Sequence, residues 1–518
     1  MSDQSIRRIN TRMEHAFLTN VRTGTVLRSF AAPVRSFKKR DCYRTLHDYV
    51  YGPQQDKVFV LCGLRSTGKT TMIRQILLEM TDDELAETAY IQIAAKDTLA
   101  TANQDLKYLK STGFRYVFFN EVTLMEDFIS GAALFSDVYA AGGMKIVLSS
   151  TDSLSFLFTE NEELYDRCIM LHTTFIPYRE FERVLGVKDI DEYIRYGGTM
   201  RMGGVHYNDT STFANKSRTD EYIDSAIARN IQHSLRYYQD GGHFRHLQEL
   251  YEHGGLTGAI NRIVEYLNYR FILEVLTRDF RSGNQEISRK NLRRDREHPT
   301  NVLDRIDLSK ITERMRRLLE IRSLSEQSIE ITDAHRAEIR EYLDLLDLTH
   351  SVDVFALPSA EKLRERTLIA QPGLRYAQAD ALVSSLLQDK TFNDLSVAEH
   401  KFVLDHIRGE IMDRMMEDVV LLETKLANPK KQVFVLQFAA DEFEMIVFDP
   451  AAVSCEIYAI KHSAEIAPEQ IRHLTDLQKC AMTECRYGPI IGKYVLYRGA
   501  TQDVDGIHFM NVEDWLKR

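Results

Sequence analysis

No run of about 18 apolar residues occurs anywhere in the 518-residue chain, so no membrane-spanning helix is expected. Cysteine is scarce. Cys42, Cys62, Cys168, Cys455, Cys480 and Cys485 are scattered and form no C-x-x-C pair, which excludes a disulfide framework and a four-ligand zinc site. Only 10 prolines and 25 glycines are present, too few for collagen-like or long low-complexity segments, and no internal repeat is visible. The opening stretch MSDQSIRRINTRMEHAF is basic but lacks an apolar h-region and a small-residue cleavage site. No secretory signal is expected, and the location implied is cytoplasmic. A net charge of −10 argues against a surface that binds nucleic acid as a whole.

What is present is a soluble composition, 44% hydrophobic and 27% charged, enough for about three domains. Residues 1–44 carry ten Lys/Arg against three acids and read as a basic arm. From there to about 190, the short apolar runs VFVLC (58–62), AYIQIA (89–94), YVFFN (116–120), KIVLSS (145–150) and CIMLHT (168–173) alternate with helix-length segments. That alternation predicts an α/β domain with a buried parallel sheet. Between 191 and 350 the period changes to i, i+3, i+4, i+7, predicting a helical domain with room for a winged-helix element. From 351 to 518 helix-like and strand-like runs mix again, predicting a second α/β domain.

The strongest motif is Gly63-Leu64-Arg65-Ser66-Thr67-Gly68-Lys69-Thr70, which matches G-x-x-x-x-G-K-[ST] between a strand and a helix. Glycines allow a turn whose backbone N–H groups converge on phosphate, and the helix N-terminus adds positive dipole. Lys69 would reach the β- and γ-phosphates of ATP and Thr70 would place its hydroxyl on Mg²⁺, with Gly63, Arg65, Ser66, Thr67, Gly68 and Thr71 completing the cradle. A carboxylate is needed at the end of a neighbouring strand, and YVFFN leads into Asn120-Glu121. Glu121 can serve as the base that polarises water. Asn120, where a metal-holding Asp is expected, is neutral, so weaker Mg²⁺ binding follows. The strand KIVLSS ends in Ser149, Ser150, Thr151 and Asp152, a polar cluster placed to sense the γ-phosphate, with Ser149 and Ser150 equal candidates.

Read together, GLRSTGKTT, FFNEV, KIVLSSTDSL, YDRCIMLHTTFIPYREF (165–181) and Tyr193-Ile194-Arg195-Tyr196-Gly197-Gly198 resemble the AAA-type P-loop ATPases of bacteria and archaea that carry a C-terminal domain of unknown function. REYLDLLD and Gln371-Pro372-Gly373-Leu374-Arg375 resemble later signatures of the same family. The resemblance implies an AAA core at 45–190, a helical middle at 191–350 and a nuclease-like end at 351–518. It places Arg167 where the family has its Gly-Arg pair, with two open roles: neutralising γ-phosphate charge, or holding the strand by an ion pair.

The resemblance also implies a restriction-endonuclease-type fold for the end of the chain, whose Mg²⁺ site needs a helix Glu, a strand Asp and a Glu-x-Lys. Glu410 could be the helix Glu and Lys461 the lysine. Ala459 stands two before that lysine, Met445 or Ile446 stands where the Asp is expected, and Glu456 and Asp449 are off register. Phosphodiester cleavage is therefore not expected. His243, His246 and His253 lack partners at ligand spacing. Three functions stay open. One is an ATPase whose nucleotide state controls contacts. Another is a nucleic-acid-binding regulator using the basic island Arg289, Lys290, Arg293, Arg294 and Arg296, with ATP only as a conformational switch. The third is a small-molecule kinase, for which no second substrate motif is visible.

Overall fold

The computed structural model describes residues 16–518 apart from 55, 126, 153, 154, 157, 158, 160–162, 174, 188, 201–211, 238–243, 282–307, 327–331, 360, 440 and 467. The basic island at 289–296 and His243 lie outside the described residues. Instead of four consecutive segments, the chain forms two compact units that interleave along the sequence. The first takes Met1–Phe175, Arg183–Leu185 and Tyr222–Thr257, and the second takes Ile176–Glu182, Gly186–Glu221 and Gly258–Arg518.

In the first unit, six strands form one sheet: β1 (Asn20–Thr23), β2 (Val58–Cys62), β3 (Thr88–Gln92), β4 (Tyr116–Asn120), β5 (Lys145–Ser150) and β6 (Cys168–His172). Their order is β1-β3-β4-β5-β2-β6. Every pair is parallel except β1 with β3. Alternate side chains serve opposite faces. Phe59, Leu61, Tyr90, Phe118 and Val147 pack against Met72, Ile73 and Ile76 of the helix Lys69–Glu79. Val58, Val60, Ile91, Val117 and Phe119 pack against Leu106 and Leu109 on the other side. Burial on both faces is why these strands read as continuous apolar runs. Because the strands are parallel, the C-terminal ends of β2, β4, β5 and β6 meet at one edge, where such sheets place their ligands.

The segment read as a basic arm is folded from residue 18 onward. Asp105 accepts hydrogen bonds from the backbone N–H of Leu18 and Thr19 and from the Thr19 hydroxyl. β1 then pairs in register with β3, Val21 opposite Ile91. The helix α1 (Thr25–Ala31) buries Leu27 and Ala31 completely. Charge count hid this, although Leu27, Phe30, Ala31 and Val34 already follow the helix period. The helix Lys69–Glu79 is α2.

The second unit holds an eight-stranded sheet of β7 (Thr349–Ala356), β8 (Lys362–Ile369), β9 (Gln432–Gln437), β10 (Glu442–Asp449), β11 (Ser454–Ile460), β12 (Ile490–Tyr497), β13 (Gln502–Val504) and β14 (Ile507–Asn511). The order is β13-β14-β12-β11-β10-β9-β7-β8. Among the described residues from 191 to 348 no strand occurs, so the hairpin of a winged helix is absent from them. The signatures Tyr193–Gly198 and Gln371–Arg375 meet here. Gly373 N–H donates to Gly197 O at 3.2 Å, and a Cβ on Gly198 (φ +103°) would lie 2.7 Å from the Gln371 Cα. Only glycine allows that approach.

Between β8, the helix α3 (Pro372–Leu387) and the 31-residue helix α4 (Val397–Ala427) lies a buried ion network. Arg366 donates to Asp418 at 2.8 Å and to Glu417 at 3.2 Å, Arg375 meets Asp418 at 2.5 Å, and Arg414 meets Glu417 at 3.1 Å. Removing one partner would strand a buried charge, at a cost on the order of 3–5 kcal/mol. α4 itself starts at a capping box, Ser396 with Glu399. All six cysteines are free thiols, and no described helix is long and apolar enough to cross a membrane.

Candidate functional site

The loop after β2 has the backbone that its glycines predict. Gly63 sits at φ +137° with Thr173 O only 2.2 Å from where a Cβ would be, and Gly68 at φ +96° caps α2. Ser66 is left-handed at φ +62°. Thr67 is buried; its hydroxyl donates to Leu64 O at 2.8 Å and lies 3.1 Å from the Thr173 hydroxyl. Lys69 is enclosed, with Nζ donating to Gly63 O at 2.7 Å and Leu64 O at 2.8 Å. Burial pulls its pKa down to about 8, opposed in part by the Glu121 carboxylate. Thr70 and Thr71 are half-buried in the first turn of α2, and Arg65 is exposed with its carbonyl accepting from Tyr222 Oη at 3.3 Å.

Asn120 and Glu121 end β4 beside this loop. Asn120 is buried, and its Nδ2 donates to Gln92 Oε1 at 2.8 Å, which leaves its carbonyl oxygen as the acceptor. Glu121 turns into the left-handed region at φ +56°. One carboxylate oxygen accepts from Ser150 Oγ at 3.1 Å, Thr151 Oγ1 at 3.2 Å and Thr151 N at 3.3 Å. Ser150 is thus engaged with Glu121 and with Thr123, 2.6 Å away. Ser149, opposite Leu61 on β2 and Asn120 on β4, buries its hydroxyl without a hydrogen bond. A buried hydroxyl lacking a partner is costly. Asp152 is absorbed structurally, accepting from Ser155 N at 3.0 Å and Ser234 Oγ at 2.6 Å.

Arg167 fits the second of its two open roles. It precedes β6, its carbonyl accepts from Val58 N at the start of β2, and its guanidinium pairs with Asp137 at 2.8 Å. The loop follows the far end of β2, roughly 15 Å along the strand at about 3.3 Å per residue. In cis, Arg167 holds the strand and stands away from the phosphate loop.

Several residues here escaped sequence reading. Arg40, Gln92, Thr173, Tyr222 and Asn230, whose Nδ2 donates to Thr151 O at 2.9 Å, were given no role by the sequence. Only their position near the C-terminal end of a predicted strand could have marked Gln92 and Thr173.

In the second unit, Lys461 Nζ meets Glu444 Oε1 at 2.6 Å, and Glu444 is almost fully buried. The acidic residue facing the lysine is therefore one position before Met445, because pairing of β10 with β9 shifts register between Phe443 and Ile446. Ala459, Met445 and Ile446 are buried. Glu456 accepts from Tyr458 Oη, and Asp449 caps its own turn through Ala451 and Ala452. Glu410 lies on α4. His253 Nδ1 lies 2.7 Å from Glu249 O, while His246 is half-buried on the helix Arg245–Glu252. Among the described residues no three His, Cys, Asp or Glu side chains are grouped to hold a metal ion.

Residues 55–182 match the family described as an AAA domain, which marks this stretch as an AAA-type P-loop ATPase domain, nucleotide-binding in general character. No curated protein matches the chain. Among solved structures, the chain is similar to the S. cerevisiae Hsp104:casein complex in its extended conformation, at 15% identity over 32% of this chain and 32% of that one, with a TM-score of 0.25. C. elegans PCH-2 follows at 14% identity, 43% and 60% coverage and a TM-score of 0.19. The Aeropyrum pernix ORC1 protein in complex with DNA shares 14% identity over 69% of this chain and 94% of that one, with a TM-score of 0.22. The chain spans about a third of the length of the Hsp104 chain it matches.

Proposed function

We propose that the first unit binds ATP with Mg²⁺ and hydrolyses it slowly in the cytoplasm, its nucleotide state controlling contacts with a partner. The observation that carries this is the convergence of Lys69, Glu121 and Ser149 at one sheet edge, with Lys69 buried and Ser149 Oγ unsatisfied. The glycine-lined loop and the N-terminus of α2 would hold the phosphates through backbone N–H groups. Lys69 would hold the β- and γ-phosphates. Ser149, rather than Ser150, would offer its hydroxyl to the γ-phosphate.

Thr70 and the carbonyl oxygen of Asn120 fit a divalent cation, which would supply charge neutralisation to the phosphates. A neutral Asn120 weakens that hold. Glu121 would orient and deprotonate the attacking water, once the three donors on its oxygen give way to that water.

The depressed pKa of Lys69 sets a pH signature. Phosphate favours the charged ammonium, so binding is fully supported only well below pH 8, and at about pH 8 half of the lysine is charged. As pH rises past that value the protonated fraction falls. ATP affinity measured by calorimetry should weaken roughly fivefold between pH 8 and pH 9. Equal affinity at both values would remove Lys69 from the phosphate contact.

The second unit we read as a degenerate nuclease-like domain. Glu444 and Lys461 neutralise each other, and a buried Ala459 supplies no ligand. Purified protein should leave DNA and RNA intact in Mg²⁺ or Mn²⁺, and cleavage lost on Glu410→Ala would refute this.

A further inference from the structure

Arg40 belongs to the N-terminal segment yet is 7% exposed, its guanidinium inserted against the phosphate loop. Nη1 donates to Thr67 O at 2.8 Å and Nη2 donates to Phe175 O, beyond β6, at 2.9 Å. One side chain therefore ties the loop to the chain that leaves the neighbouring strand. The segment carrying it is itself strapped over α2. Gln75 Nε2 donates to Phe37 O at 3.1 Å, and Lys39 and Tyr43 both engage Glu79. From the other side Arg183 donates to Lys39 O and pairs with Asp41 at 2.7 Å.

The geometry has a consequence for phosphate. In a trans peptide the carbonyl and the following N–H point in opposite directions. Holding Thr67 O outward therefore directs Gly68 N–H to the side away from Arg40. We propose that Arg40 is a positioning residue of the nucleotide site, fixing the Thr67–Gly68 peptide so that its N–H serves the phosphates and making the loop depend on the 37–43 strap. This rests on the nucleotide-binding reading of the loop. The guanidinium also adds positive charge near the site, and it is among the charges that lower the pKa of Lys69. A lysine could keep the charge but could not span both carbonyls.

The test titrates the full chain with ATP and with inorganic tripolyphosphate, which has the phosphates and no base. Hydrogen bonds from a charged donor imply that Arg40→Ala weakens both ligands by about 10- to 100-fold. Free guanidinium ion at low millimolar concentration should restore part of the affinity in Arg40→Ala and none in Lys69→Ala. Arg40→Lys should fall between wild type and alanine; should the alanine protein fail to fold, this variant carries the test, and affinity equal to wild type would overturn the proposal. A lowered melting temperature with unchanged tripolyphosphate affinity would overturn it as well. Unchanged binding in Arg40→Ala beside lost binding in Lys69→Ala would refute Arg40 alone. A wild type that binds neither ligand would refute the nucleotide site and Arg40 together.

Discussion

Lys69→Ala should abolish measurable ATP binding while leaving the fold intact. The lysine is enclosed, so its charge acts in a medium that screens it far less than water does. Two or more charge-assisted hydrogen bonds to phosphate would be lost, a drop of at least about 100-fold in affinity. Stability should hold for a separate reason. Burial depresses the pKa of Lys69, which means that folding disfavours the charged form; removing it relieves that penalty. The carbonyls of Gly63 and Leu64 lose a donor, and water can replace it at a loop. Calorimetric titration and a thermal melt read both effects. Equal ATP binding by wild type and variant would end the assignment.

Glu121→Gln should keep ATP binding and lose hydrolysis by about 10²–10⁴-fold, the usual contribution of a general base. The substitution is nearly isosteric, and an amide oxygen can still accept from Ser150 and Thr151, whose three donors now converge on one carboxylate oxygen. What an amide cannot do is take a proton. The companion change Asn120→Asp restores the missing negative charge and should lower the Mg²⁺ concentration at which hydrolysis is half-maximal. It carries a structural condition, because Nδ2 now donates to Gln92 Oε1. The new carboxylate must see the Gln92 amide turned over, so Asn120→Asp with Gln92→Ala should titrate at least as well as the single variant. Steady-state rates against Mg²⁺ measure this. Unimpaired hydrolysis by Glu121→Gln would remove β4 from the chemistry.

The site was legible in proportion to how local its chemistry is. A phosphate loop needs its glycines, lysine and hydroxyl within eight consecutive residues, so Gly63 to Thr70 could be read from spacing. The same holds for Glu121, which follows an apolar strand directly. The choice between Ser149 and Ser150 could not be read, since neighbours on a strand differ only in the face they serve. The pairing of Ser150 with Glu121 leaves Ser149 as the residue we propose for that role. Arg167 was open in the same way. A motif located it beside a strand, and the hydrogen bond from Val58 N to its carbonyl sets it at the end of the sheet away from the loop.

The apolar runs by themselves determined the five parallel strands and the loop that follows the second of them. A strand buried on both faces must be apolar throughout, whatever it pairs with, which holds for β2 to β5, while β6 is a half-buried edge strand. Tertiary structure alone decided that residues 20–31 join the first unit, that Gly197 and Gly373 touch across 176 residues of chain, and that Glu444 rather than its neighbours faces Lys461. It alone brought Arg40 onto Thr67. Those pairings depend on strand order, a register shift and the path of the chain between elements, and none of these leaves a period or a spacing in the sequence.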